Sequence, residues 1–160
     1  MKAVKQKGVA KSKMHVLAAL TRLRQICCHP GLVGSDTESG KMNTLYELAE
    51  PLLEEGHKVL VFSQFVRMLQ ILEKQCEDRG MPTYLLTGET KNRQEIVSSF
   101  QEDDSPSVFL LSLRAAGTGL NLTSASYVVI YDPWWNPAVE AQAIDRTHRI
   151  GQTAMVNAYK

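Results

Sequence analysis

The chain has 160 residues, 44% of them hydrophobic and 22% charged, with a formal net charge of +1. That is the size and balance of one globular core, and it excludes a disordered or low-complexity polymer. No apolar run approaches the roughly 18 residues of a membrane span, and the first residues lack the apolar core of a secretory signal, so a soluble, intracellular protein is expected.

The near-neutral charge hides an asymmetry. Residues 1–35 hold seven Lys/Arg and no Asp/Glu, leaving 11 basic against 17 acidic residues in 36–160. The lysine-rich start (Lys2, Lys5, Lys7, Lys11, Lys13) reads as a nucleic-acid arm or as a flexible lead-in. The mildly acidic remainder has to meet any nucleic acid through local contacts, because affinity follows the phosphates neutralised in place. Three cysteines, two of them adjacent, fit a reducing compartment better than a disulfide framework. Cys27, Cys28 and His29 make a poor zinc site, since adjacent side chains rarely close a tetrahedron together and Cys76 is a single distant thiol; packing is the expected role.

In chain order, Val16, Leu17, Leu20, Leu23, Ile26 and Cys27 recur at helical spacing, and the spacing predicts a helix over Met14–Cys27 that ends at His29-Pro30-Gly31. A polar loop follows. Ser39 or a neighbour then caps a second helix carrying Met42, Leu45, Leu48, Leu52 and Leu53, which stops at Gly56. Next come a buried strand over Lys58–Phe62, a helix over Val66–Arg79 stopped by Gly80, and a strand over Thr83–Leu86. A helix over about Asn92–Gln101, strands over Ser107–Leu113 and Tyr127–Tyr131, a helix over Pro137–Arg149 and a short strand over Val156–Tyr159 complete the pattern. This alternation argues an α/β fold with right-handed crossovers.

In such sheets ligands bind beyond the carboxyl ends of the strands. Ser63 and Gln64, Thr87 and Gly88, Ser112 to Asn121, and Asp132 to Asn136 all fall there. Gly117 and Gly119 allow backbone amides to approach a phosphate or ribose closely, although a Gly-x-Gly turn is also an ordinary tight loop. Within Asp132-Pro133-Trp134-Trp135-Asn136-Pro137, Asn136 suits an N-cap and Pro137 a first helical residue. Neighbouring side chains of an extended segment point opposite ways; either one tryptophan is core and the other faces a partner, or both rings pack inside. On the helix that follows, at about 100° per residue, Gln142, Arg146 and Arg149 project within one arc. Guanidinium never loses its charge and pairs bidentately with phosphate oxygens, so this face suits phosphoryl transfer, with a solvated basic face as the plainer alternative. His148 points away from that arc.

Other features fail as catalytic motifs. Gly34 to Lys41 has five residues between its glycines and Met42 where a P-loop has Ser or Thr. No Asp-Glu-x-His box occurs, and the scattered His15, His29, His57 and His148 suggest no hydrolase triad.

The segment Gln142 to Gln152, with Asp145, Arg146, His148, Arg149, Ile150 and Gly151 between, resembles the last block of the Swi/Snf family of ATPases within helicase superfamily 2. Three further segments resemble that family in the same order: Val59 to Phe65, Ser112 to Thr123, and Asp132 to Pro137. Arg24 to Pro30 and Ser39 to Met42 extend the likeness, which runs from about Leu23 to the last residue. The resemblance implies the second, C-terminal lobe of a two-lobed motor, with a RecA-like three-layer α/β/α fold of the P-loop NTPase type over 36–160, after a basic lead-in and opening helix over 1–35.

It further implies the site. Arg146 and Arg149 would be arginine fingers and Gln142 would orient the phosphate or attacking water, while Gly117, Gly119 and Asn121 would face the nucleotide. Ser63, Gln64, Ser112, Arg114 and Trp135 would contact DNA. Arg114 and Ala116 stand where the family more often has Lys and Gly, keeping the charge and adding a methyl. ATP and Mg²⁺ would be held mainly by a first lobe that this chain lacks, and no metal site is expected here. The implied partners are double-stranded DNA, the first lobe and a DNA-bound protein, without a membrane; the isolated chain is expected to be inactive. A strand-separating helicase lobe would more often show Gly in place of Asp145, and a non-enzymatic domain of the same fold would be expected to lose Arg146 or Arg149.

Overall fold

The computed structural model describes residues 2–35, 37–116, 120, 122–134, 136–138, 141 and 157–159. The chain divides into two compact units, Met1–Lys41 and Met42–Lys160, a few residues beyond the expected boundary at 35/36. Among the described residues no helix is long and apolar enough to cross a membrane.

The first unit is built on α1 (Lys2–Cys28), followed by a 3₁₀ turn over Pro30–Val33. The lysine-rich start was expected to be a flexible lead-in; it is instead part of α1, which begins at Lys2 and not near Met14. Lys, Ala and Gln are strong helix formers, no proline intervenes before Pro30, and the one glycine there, Gly8, costs only about 1 kcal/mol. His29 caps the turn, its Nδ1 accepting from the Gly31 amide at 2.9 Å. That bond needs an unprotonated Nδ1, in keeping with the lowering of the His29 pKa by burial.

The second unit is a five-stranded sheet in the order β2-β3-β1-β4-β5. Its strands are β1 (Val59–Ser63), β2 (Thr83–Leu86), β3 (Val108–Ser112), β4 (Tyr127–Ile130) and β5 (Asn157–Tyr159). Every pairing is parallel: Val59 stands opposite Val108 on one side and Tyr127 on the other, and Tyr127 opposite Asn157. β1 and β3 are buried at every position, as strands covered on both faces must be. The helices are α2 (Gly40–Glu54), α3 (Val66–Asp78), α4 (Arg93–Glu102) and the short α5 (Leu113–Ala116). The path from β1 through α3 to β2 runs outward past β3, and the path from β2 through α4 to β3 runs back. Right-handed crossovers in opposite directions put α3 and α4 on opposite faces, which gives the three-layer α/β/α architecture of a RecA-like lobe.

On the α4 face, Leu60, Phe62, Phe109, Leu111, Val128 and Ile130 pack with Val97 and Phe100 in one cluster. The intervening Val59, Val61 and Leu110 are likewise buried, as are Met68, Leu69, Leu72 and Cys76 of α3, which contacts β1, β2 and β3. Strand and helix ends from α2 to β4, and the short β5, fall within a residue or two of the sequence expectation; the helix expected over Pro137–Arg149 lies largely outside the described residues. Gly56 and Gly80 stop α2 and α3 as expected, with φ of 86° and 69°; after Gly56 the His57 amide reaches back to the Leu52 carbonyl at 2.9 Å, the left-handed ending that glycine favours. α2 buries Met42, Leu45, Tyr46 and Ala49; of the expected apolar positions Leu48, Leu52 and Leu53 are only half-buried, and Tyr46 and Ala49 take core places the leucine pattern did not include.

Candidate nucleic-acid and nucleotide face

Parallel strands deliver their carboxyl ends to one edge, and the reversal of winding at β1 opens that edge between β1 and β4. β1 ends on Ser63. β4 continues its pairing one step beyond the ladder, the Tyr131 amide donating to the Phe62 carbonyl at 2.9 Å, so Asp132 arrives beside Ser63 and Gln64. The Ser63 hydroxyl donates to Asp132 Oδ1, the Gln64 amide donates to Asp132 Oδ2 at 3.1 Å, and the Phe65 amide donates to Ser63 Oγ at 3.1 Å. Ser63 is 0% and Asp132 1% exposed. A buried carboxylate is tolerable only where donors replace its water, and here two donors converge on it.

Around this knot lies a pocket of about 320 Å³ lined by Gln64, Leu113, Arg114 and Trp134. Leu113 and Trp134 supply apolar walls, Arg114 an exposed guanidinium, and Gln64 an amide whose buried Nε2 meets no acceptor among the described residues. Trp134 is 37% exposed. Beneath the pocket Ser112 is buried and its hydroxyl accepts from the Ala115 amide at 3.2 Å, closing the turn into α5. The Ala115 carbonyl in turn accepts from Arg93 Nη2 of α4 at 2.9 Å.

Thus Gln64 and Arg114 come together at one pocket, while Ser63 and Ser112 lie under it with their hydroxyls engaged inside the lobe. Trp135, Gly117, Gly119, Asn121, Gln142, Arg146 and Arg149 lie outside the described residues. Two contributors carry no role of their own from the sequence, Leu113 and Asp132, and Trp134 is one of the two tryptophans whose placement the sequence left open. The signal for Asp132 was available, because it and Ser63 are polar residues ending two buried strands. No three His, Cys, Asp or Glu side chains among the described residues could hold a metal, and both oxygens of Asp132 are occupied by Ser63 and Gln64.

The helicase conserved C-terminal domain model matches residues 40–151. The chain is 42% identical, over 92% of its length, to the human protein "SWI/SNF-related matrix-associated actin-dependent regulator of chromatin subfamily A member 1". It is 39% identical over 92% of its length to the "Putative ATP-dependent helicase/translocase YwqA" of Bacillus subtilis. It spans only 16% and 17% of those two proteins. Among solved structures, the "Sulfolobus solfataricus SWI2/SNF2 ATPase core in complex with dsDNA" superposes with a TM-score of 0.79 at 40% identity, covering 94% of this chain and 33% of that one. The chain belongs to the helicase conserved C-terminal domain family. Within it, this is the C-terminal lobe of a superfamily 2 ATPase of the SWI/SNF type.

Proposed function

We propose that this lobe serves a DNA-stimulated ATPase that translocates along double-stranded DNA and remodels protein–DNA complexes. The observation that carries the reading is the pocket of Gln64, Leu113, Arg114 and Trp134 at the carboxyl edge of the sheet, in a chain of this family. A guanidinium and an unpartnered amide beside apolar walls suit a sugar-phosphate backbone: charge-assisted bonds go to phosphate and apolar contact to the sugar. The similar Sulfolobus core, solved in complex with double-stranded DNA, supports the same partner.

In this reading Gln64 and Arg114, with Trp135, touch the DNA backbone, and Ser63 and Ser112 act at the same place. Gly117, Gly119 and Asn121 face the nucleotide. Closure on the first lobe, which holds ATP and Mg²⁺, brings Arg146 and Arg149 onto the γ-phosphate, where their fixed charge stabilises the transition state, and Gln142 orients the phosphate or attacking water. Each cycle of closing and opening shifts one lobe's grip on DNA relative to the other. Alone, the chain supplies stabilising charge without a nucleotide cradle and does not turn over. Its setting would be the nucleus of a eukaryote or the nucleoid of a bacterium.

The test is ATP hydrolysis by the full-length parent, with and without double-stranded DNA, for the native chain and for Arg146→Ala and Arg149→Ala. Loss of one finger is expected to lower kcat by roughly 10³ or more while ATP binding is retained. Normal hydrolysis by both variants would return these arginines to a structural or DNA-contacting role.

A further inference from the structure

Asp132 belongs to none of the roles above, yet it is the most deeply buried carboxylate at the site, 1% exposed. Its two oxygens are divided between a side chain and the main chain of the same turn: Oδ1 accepts from the Ser63 hydroxyl and Oδ2 from the Gln64 amide at 3.1 Å. The Ser63 oxygen passes the linkage on by accepting from the Phe65 amide at 3.1 Å. Three successive residues, Ser63 to Phe65, are therefore tied to one carboxylate. Phe65 is also the N-cap of α3 and makes no side-chain capping bond of its own; its amide is met by Ser63 Oγ, which Asp132 holds in place, while its carbonyl accepts from the Met68 and Leu69 amides of the first turn.

The same carboxylate fixes the opposite wall. Trp134 follows two residues later, through Pro133, whose ring restricts its backbone, and Trp134 and Gln64 line one pocket with Leu113 and Arg114. Gln64 is thus held by hydrogen bond and Trp134 by chain continuity to a single buried group that does not itself line the pocket. A site held in shape before its ligand arrives avoids the ordering cost that weakens binding.

We propose that Asp132 is a positioning residue for DNA: it locks the β1–α3 turn against the start of the Asp132–Pro137 segment, so that Gln64 and Trp134 present a preformed pocket to the DNA backbone. This rests on the DNA-contact reading above. Asn is nearly isosteric with Asp, but it accepts on one atom only and turns an NH₂ toward one of the two donors. Asp132→Asn therefore keeps the volume and breaks one of the two ties.

The experiment is ATP hydrolysis by the full-length protein as a function of linear double-stranded DNA concentration, together with thermal unfolding. Asp132→Asn is expected to raise the DNA concentration for half-maximal stimulation about ten-fold while the DNA-saturated kcat stays within about two-fold. Ser63→Ala is expected to raise the half-maximal concentration in the same direction. The double variant should be no worse than Asp132→Asn alone, because both changes cut one network. A fall in kcat and unfolding temperature with an unchanged half-maximal DNA concentration would make Asp132 merely structural and overturn the proposal. Gln64→Ala separates the two levels. If it raises the DNA requirement and Asp132→Asn does not, the positioning role fails and the DNA reading stands. If Gln64→Ala and Arg114→Ala both leave the requirement unchanged, the DNA reading itself fails. Should Asp132→Asn not accumulate as folded protein, Asp132→Glu, which keeps both acceptor oxygens on an arm one methylene longer, carries the test with the same two outcomes.

Discussion

The two edges of the sheet use their charged groups differently. At the amino-terminal edge the charged side chains are closed on neighbours, while the buried Tyr46 and Ser107 hydroxyls meet no hydrogen-bond partner among the described residues. Lys58, just before β1, is buried and donates from Nζ to the Phe100 carbonyl at 2.6 Å, with Nζ 4.8 Å from the Phe100 ring centroid. Desolvation lowers its pKa, against the opposing pull of Asp103 and Asp104. Arg79 pairs with Glu50 at 2.6 Å and lies 4.0 Å over the Tyr46 ring, and burial raises the Tyr46 hydroxyl above its ordinary pKa. Tyr84 donates to Asp103 at 3.0 Å. At the carboxyl-terminal edge the inner groups, Ser63, Asp132 and Ser112, are just as closed, but the outer ones are not: Gln64 Nε2 has no acceptor among the described residues and Arg114 is exposed. One edge uses its charged groups to hold the lobe together, and the other presents a guanidinium and an amide above a rigid base. An α/β lobe can therefore place function at one edge without weakening the fold.

That contrast breaks most sharply at Phe100. This fully buried ring stands 4.7 Å from Phe109 and 5.5 Å from Tyr84, centroid to centroid, and its carbonyl receives Lys58. Phe100→Ala is expected to cost about 3–5 kcal/mol, read as a lower urea midpoint of the lobe in its parent protein. Gln64→Ala, at the other edge, should leave that midpoint within about 0.5 kcal/mol. Equal losses at the two sites would end the distinction between a structural and a functional edge.

Lys58→Met sharpens the comparison at intermediate size. The substitution keeps the apolar stem and removes the charged donor, leaving the Phe100 carbonyl, near the end of α4, without it. A loss of about 1–3 kcal/mol is expected by the same denaturation, with the DNA concentration for half-maximal ATPase stimulation unchanged. A change in that concentration at constant stability would show that the amino-terminal edge also communicates with the DNA face.

Much of this was legible in the sequence, for physical reasons that differ by element. Buried parallel strands read as continuous apolar runs, so Val59 to Phe62 and Val108 to Leu111 announce themselves, and Gly56 and Gly80 mark helix ends because their backbones need positive φ. At the lysine-rich start the apolar spacing begins only at Met14, so the helix was placed from there, whereas Lys, Ala and Gln without a nearby proline sustain a helix from Lys2. At the site, Gln64 and Arg114 were legible as polar residues at strand ends. The inward turn of Ser63 was not, because only the register of β1 against β4 brings its hydroxyl onto Asp132. Leu113 was equally hidden, and which tryptophan lines the pocket could not be chosen: a pocket wall is a property of neighbouring strands, and no single segment contains it.

The smallest expected effect lies at Tyr84 and Asp103, and it depends on pH. Asp103 is held below its ordinary pKa, first by the Ser105 amide, at 2.9 Å, then by the Ser105 side chain and the Tyr84 hydroxyl. A carboxylate whose folded pKa is depressed contributes stability that is present above its unfolded pKa and is lost as pH falls through the folded value. Tyr84→Phe removes one of the donors that favour the charged form, so its cost should be measurable near neutral pH and should shrink as the pH falls below the ordinary carboxylate range and through the depressed Asp103 value. Urea denaturation of the native and Tyr84→Phe proteins at neutral pH and in acid checks it. A cost that persists undiminished in acid would assign the loss to the packing of Tyr84 against Phe100 and Phe109 and not to the hydrogen bond. The amino-terminal edge would then be held by its rings, with the polar closures above them adding little.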